Sequence, residues 1–125
     1  MIARVAGWLL LPILAAAIDG CAPAPSVAEG RTLYRANGCI TCHGPDGHGD
    51  GPIAATLAPR PRDFRDRAAF KQGNNESAIA STLAHGIRKG GAMPVFPHLS
   101  ERERRSLAAF VRALQTPSNG GSNQQ

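Results

Sequence analysis

The chain has 125 residues, a formal net charge of +5 and three cysteines. That length allows one domain, and a disulfide-stapled fold is excluded because two of the three cysteines form one C-x-x-C pair. The cations are scattered and no recognition motif accompanies them, so the basic balance points away from nucleic acid and towards an acidic protein or an anionic membrane surface.

At the N-terminus, Arg4 precedes an apolar run from Val5 to Ile18 that is broken by Pro12. A bilayer-crossing helix needs about 20 apolar residues. The shorter run therefore reads as the core of an export signal over residues 1–20, the alternative being an uncleaved shallow anchor. Ile18-Asp19-Gly20-Cys21 resembles the lipobox of bacterial lipoproteins, with Asp19 departing from its usual small residue. The resemblance implies that Cys21 becomes the lipidated first residue of the mature protein, with residues 21–25 as a Pro-rich tether. The alternative is a spare thiol behind an ordinary cleavage site. Arg4 and Asp19 leave together, so the mature chain keeps its +5.

The domain is expected over residues 26–116, followed by a polar, disordered tail over 117–125. Trp8 departs with the signal, and Tyr34, Phe64, Phe70, Phe96 and Phe110 are the remaining aromatics. So small a core calls for a prosthetic group. Ser26 and Glu29 form a capping-box pattern that opens a first helix, which closes at Asn37-Gly38. A short helix is expected around Asp66 to Phe70. A middle helix starts near Asn74 or Asn75, carries Ile79 and Leu83 on one face, and stops at His85-Gly86. Ser100 and Glu103 start the last helix, whose Leu107, Phe110, Val111 and Leu114 make an apolar stripe at helical spacing. No strand pattern of useful length occurs, and the fold class is all-α. The stretches Gly44 to Arg62 and Gly86 to Pro97 are long, Gly/Pro-rich loops, which a compact domain keeps only when they do something, such as wrapping a planar cofactor.

Cys39-Ile40-Thr41-Cys42-His43 is the attachment pattern for haem c. Two thiols three residues apart on one helical turn can each add to a vinyl group along one porphyrin edge, and the next side chain then lies under the ring to bind iron. A thioredoxin-like pair wants a βαβ setting that is missing here. A structural zinc site wants four ligands, usually from two separated pairs. Met93, the only methionine after the first, sits in Gly90-Gly91-Ala92-Met93-Pro94 on no apolar helical face. It is the candidate second axial ligand, and thioether ligation opposite His raises the potential. His48, His85 and His98 are its rivals. Asp46-Gly47-His48-Gly49-Asp50-Gly51 echoes a calcium loop, but Leu57 stands where the bidentate Glu belongs, which excludes calcium. Arg60, Arg62 and Arg65 interleave with Pro59, Pro61 and Phe64. They read either as partners for haem propionates or as a solvated basic loop.

From Ser26 to Leu114 the chain resembles class I cytochromes c, especially small bacterial single-haem forms. Gly30, Tyr34, Cys39 to Gly44, Gly49 to Pro52, Met93-Pro94 and the helix with Phe110 carry the resemblance. It implies that Gly30 meets Phe110 where the first and last helices cross. It also implies that a proline carbonyl fixes the ring of the ligand His43 through its Nδ1–H, and Pro52 is the candidate. The function implied is one-electron transfer by a monomer, which the export signal and the lipobox resemblance would place on the periplasmic side of the cytoplasmic membrane by a lipid anchor, the alternative being a soluble periplasmic protein. Its partners would be redox proteins with acidic docking surfaces. The rival readings are a haem subunit fixed in a respiratory or dehydrogenase complex, and a haem enzyme or gas sensor with a labile sixth ligand.

Overall fold

The computed structural model describes residues 22–88 and 90–116. Within them lie helices α1 (Val27–Ala36), α2 (Cys39–His43), α3 (Glu76–His85) and α4 (Glu101–Leu114), with single 3₁₀ turns at Ala54–Thr56 and Arg67–Ala69. No strand occurs among the described residues, and the all-α class holds. The expected export segment 1–20, the lipidation site Cys21 and the tail 117–125 lie outside the described residues. Residues 22–25 of the expected tether are exposed and non-helical.

Helix ends follow the side chains that satisfy them. Asn75 caps α3 by accepting from the Ala78 N–H at 2.8 Å, and Gly86 ends it at φ 81°. Ser100 and Glu103 form the full reciprocal capping box of α4. At α1 only half of the expected box exists. The Ser26 hydroxyl accepts from the Glu29 N–H at 3.2 Å, but the Glu29 carboxylate turns away from the cap. It takes two hydrogen bonds of 2.6 Å from the Arg102 guanidinium and one of 2.6 Å from the Ser106 hydroxyl. The Ser26 N–H that Glu29 leaves is accepted by the Ser106 oxygen at 3.0 Å. A bidentate arginine outcompetes a single backbone donor, so a local capping signal becomes a tertiary tie between α1 and α4.

That tie sits beside the closest approach in the fold. A Cβ on Gly30 would collide with the Ser106 carbonyl and lie 2.8 Å from Phe110 Cβ, so only glycine lets α1 lie against α4. Tyr34, one turn along, meets the Phe110 ring edge-on at 5.2 Å. α3 packs on α4 as well, burying Ile79, Ala80 and Leu83. Contact with two helices explains why α4 buries Ser106 and Ala108 beyond its expected stripe, while Leu114 near its end is only half-buried.

The Arg102 guanidinium holds the Glu29 carboxyl below its ordinary value of 4.5. A carboxyl lowered in the folded state adds stability above its unfolded pKa, and that stability is lost as pH falls through the folded value. Denaturant melts of the holoprotein should therefore weaken as pH drops below about 4.5, and Glu29→Gln should lessen this acid-side loss while lowering stability at neutral pH.

Candidate haem site

Gly38, at φ 71°, turns the chain out of α1 and directly into α2. This single turn carries Cys39 and Cys42, both free and half-buried, and ends on His43. Burial pushes the Cys39 thiol up to about 11, so it stands as a neutral S–H, the form that would add across a vinyl group of a haem.

So short a helix leaves its last carbonyls without helical partners, and the following loop supplies them. Gly44 N–H closes the helix on Ile40 O at 2.9 Å, and the loop then donates Ile53 N–H to Thr41 O at 3.2 Å, Gly51 N–H to Cys42 O at 3.1 Å and Gly49 N–H to His43 O at 2.9 Å. The Tyr34 hydroxyl takes the next carbonyl, Gly44 O, at 2.7 Å. A Cβ on Gly51 would collide with the Thr41 carbonyl and sit 2.6 Å from the Cys42 carbonyl carbon. The glycines of this loop thus serve its contact with the attachment helix.

His43 does not turn to Pro52. Its Nδ1 lies 3.2 Å from the carbonyl of Arg62, which can only accept, so Nδ1 carries the proton and donates. Pro52 is exposed, in a segment whose flanking N–H groups are already spent on Thr41 and Cys42 carbonyls. The chain must run on to Arg62 before a carbonyl comes round to the ring. Phe64 N–H, donating to Gly47 O at 2.8 Å, draws that segment in, and Gly49 admits it, since a Cβ there would collide with the Pro61 carbonyl. Burial lowers the pKa of the free His43 ring, against the hydrogen bond to Arg62. The ring is therefore neutral with an unprotonated Nε2, which has no hydrogen-bond partner among the described residues. A neutral imidazole with one nitrogen fixed and the other open is the form that ligates iron.

Met93 is half-buried against the same core as Cys39, Phe70 and Phe96. Its rivals are exposed: His85 donates through Nδ1 to Ser81 O at 3.0 Å, His98 through Nε2 to Asn37 Oδ1 at 2.7 Å, and His48 faces solvent. Gln72 braces the start of the Met93 loop, accepting the Arg88 N–H at 2.6 Å while its amide donates to Thr82 Oγ1 at 3.2 Å. Phe96 N–H, donating to Leu83 O at 2.9 Å, braces the end. Of the basic loop, Arg65 is paired with Asp63 at 2.6 Å, holding that carboxyl down at about 2, and Arg60 is exposed. The Arg62 guanidinium lies over the Phe70 ring at 5.0 Å. Gln72, the Arg62 carbonyl and Phe64 escaped the sequence reading. Each acts through tertiary placement, and only the recurring Pro-x-Pro segment at 59–61 hinted at a constrained carbonyl.

Two free thiols on one turn, an imidazole with an open nitrogen and a thioether in a braced loop fit haem c. A family model for cytochrome c matches residues 27–115. The chain belongs to the cytochrome c family. Members carry covalently bound haem c, and Cys39 and Cys42 fit that attachment. Cytochrome c oxidase subunit 2 of Alkalihalophilus pseudofirmus is 29% identical over 91 residues, covering 70% of this chain and 25% of that protein. The Cbb3-type cytochrome c oxidase subunit FixP of Azorhizobium caulinodans is 29% identical over 100 residues, 78% of this chain and 31% of that one. Lupanine 17-hydroxylase [cytochrome c] of a Pseudomonas species is 33% identical over 90 residues, 71% of this chain and 11% of the enzyme. The chain thus spans a third or less of these relatives. Among solved structures, a chain of the reducing HAO-like protein complex of Kuenenia stuttgartiensis superposes with a TM-score of 0.63 at 26% identity, covering 74% of this chain and 44% of that one.

Attachment through Cys39 and Cys42 predicts that acid–acetone extraction leaves the haem colour on the polypeptide. Replacing both cysteines by serine should send it into the solvent, and a wild-type protein that loses its haem this way would contradict the attachment.

Proposed function

We propose that the protein is a one-electron carrier and not an enzyme, with Cys39 and Cys42 as haem thioethers and His43 and Met93 as the axial ligands. The observation that carries this reading is the fixed, neutral His43 ring with its open Nε2 on the turn that bears both thiols. Haem c, when bound, supplies a one-electron couple at its iron. The protein's part is to keep that couple's surroundings the same in both states. His43 is held through Nδ1 by the Arg62 carbonyl, so the ligand has no reason to move when the charge changes. Met93 enters from a loop tied at both ends, to Gln72 and to Leu83. Phe64, itself buried, covers one face of the His43 ring. A filled sixth position also leaves no place for peroxide or a gas, which is why the carrier is preferred to an enzyme or sensor.

The partners are redox proteins with acidic docking surfaces, met as a monomer from a lipid anchor at Cys21 on the periplasmic side of the cytoplasmic membrane. The mature +5 supports the choice of an acidic partner, and the Ile18 to Cys21 sequence supports the anchor. A second reading has an observation of its own: relatives of this domain occur within oxidase subunits. In that reading the same chemistry operates in a haem subunit fixed within a larger respiratory or dehydrogenase complex.

Met93→Ala should leave haem attached, lower the potential and open the iron to carbon monoxide, as spectroelectrochemistry and a difference spectrum would reveal. An unchanged potential would remove Met93 from the ligand set. If Cys21 carries the anchor, mass spectrometry of the mature N-terminus finds acyl chains on it and Cys21→Ser moves the protein to the soluble fraction; an unmodified N-terminus refutes the anchor. Steered encounter predicts that electron-transfer rates to an acidic partner fall as salt rises, and flat rates would remove the steering.

A further inference from the structure

The hydrogen bond to Arg62 fixes the tautomer of the His43 ring and the direction of its Nδ1–H, but it leaves rotation of the ring about that bond open. Histidine's second side-chain torsion is broad, so rotamer preference does not supply the missing constraint. Phe64 does. Its ring lies face to face with that of His43, centroids 4.5 Å apart and planes at 26°, and only 7% of the residue is exposed.

Phe64 is itself held by several neighbours. Tyr34 meets its ring edge-on at 6.4 Å, and Phe70 lies 6.0 Å away at 43°. Gly47, at φ 73°, closes the remaining space: a Cβ there would collide with the Phe64 ring and lie 3.0 Å from Leu114 Cδ1. The Gly47 carbonyl also accepts the Phe64 N–H at 2.8 Å, so the residue that makes room for the ring fixes its backbone too. Two aromatics, a glycine and its own amide thus restrain the Phe64 ring, while His43 is restrained by one hydrogen bond and this stacked face.

We propose that Phe64 is a positioning residue whose ring face sets the plane of the His43 imidazole, and that Gly47 is the position that seats it. The inference rests on His43 being an axial ligand, and it goes further by naming what orients that ligand. A residue that merely filled the core would stabilise the domain through its volume and leave the imidazole plane to the Arg62 hydrogen bond. A residue that sets the plane controls how the ligand's π orbitals meet the iron. In a ferric low-spin haem the unpaired electron spreads over the porphyrin according to the orientations of the two axial ligands, so with Met93 unchanged a turn of the imidazole plane alters the paramagnetic shifts of the porphyrin methyl protons.

The experiment is proton NMR of the ferric holoprotein, run beside thermal melts. Phe64→Leu keeps an apolar side chain and removes the flat face, and it should change the order and spread of the methyl resonances. Phe64→Tyr keeps the face and should restore the wild-type order. Gly47→Ala, which pushes on the Phe64 ring while leaving both aromatic rings in the sequence, should shift the pattern as Phe64→Leu does, and it serves if Phe64→Leu fails to accumulate. A wild-type methyl pattern in Phe64→Leu or Gly47→Ala, with only a lower melting temperature, would overturn the proposal and leave His43 as a ligand. A wild-type holoprotein without a low-spin, His-ligated spectrum would overturn the ligand assignment and this inference with it.

Discussion

The orientation of one imidazole ring is the constraint around which the rest of the domain is arranged. His43 ends a helix of a single turn, too short to hold its own geometry. The carbonyls of that helix are completed by three hydrogen bonds from the returning loop, and the His43 ring is held by the Arg62 carbonyl. Gly49 and Gly51 each make room for backbone where a Cβ would collide with it, and the Tyr34 hydroxyl takes the first carbonyl past the helix. A backbone carbonyl holding the far nitrogen of a ligand histidine fixes tautomer and direction together. Here that carbonyl can arrive only because the loop first lies flat along α2.

The helical frame serves that loop. α1 delivers the attachment turn through Gly38, and its place is fixed by Gly30 against Ser106 and by the Glu29–Arg102–Ser106 ties. α3 and α4 hold the other wall, and from α3 the Leu83 carbonyl and Thr82 hydroxyl reach out to brace the Met93 loop. Tyr34 links the two tasks, packing on Phe110 of α4 while bonding to Gly44 beside the attachment turn. A core this poor in aromatics uses nearly every ring twice.

Much of this was legible in the sequence because it is local. The attachment pattern, the cap residues Ser26, Asn75 and Ser100, and the apolar stripe of α4 are short-range patterns with one physical reading each, and the helices begin and end where those signals put them. The Asp66 to Phe70 stretch proved to be one 3₁₀ turn, capped by the Asp66 side chain. What was not legible is where two distant segments meet. Pro52 and the Pro61-Arg62 step both lie in proline-rich loops after the motif, and spacing alone could not tell which carbonyl would reach His43. Glu29 read as a capping residue because nothing local announces Arg102, 73 positions away. Phe64 read as one aromatic among five, although it is the one stacked on His43.

A carrier and a subunit fixed in a complex need the same thing from these residues, an iron environment that does not change when an electron arrives. The comparisons fit either arrangement, since the domain is a fraction of the relatives it resembles. What both readings require is a ligand pair that stays in place, and iron X-ray absorption on the holoprotein in its ferric and ferrous states measures that directly. A sulfur neighbour among nitrogens is expected in both states, with nearly the same distances. A missing sulfur, or a ligand lost on reduction, would contradict that ligand pair.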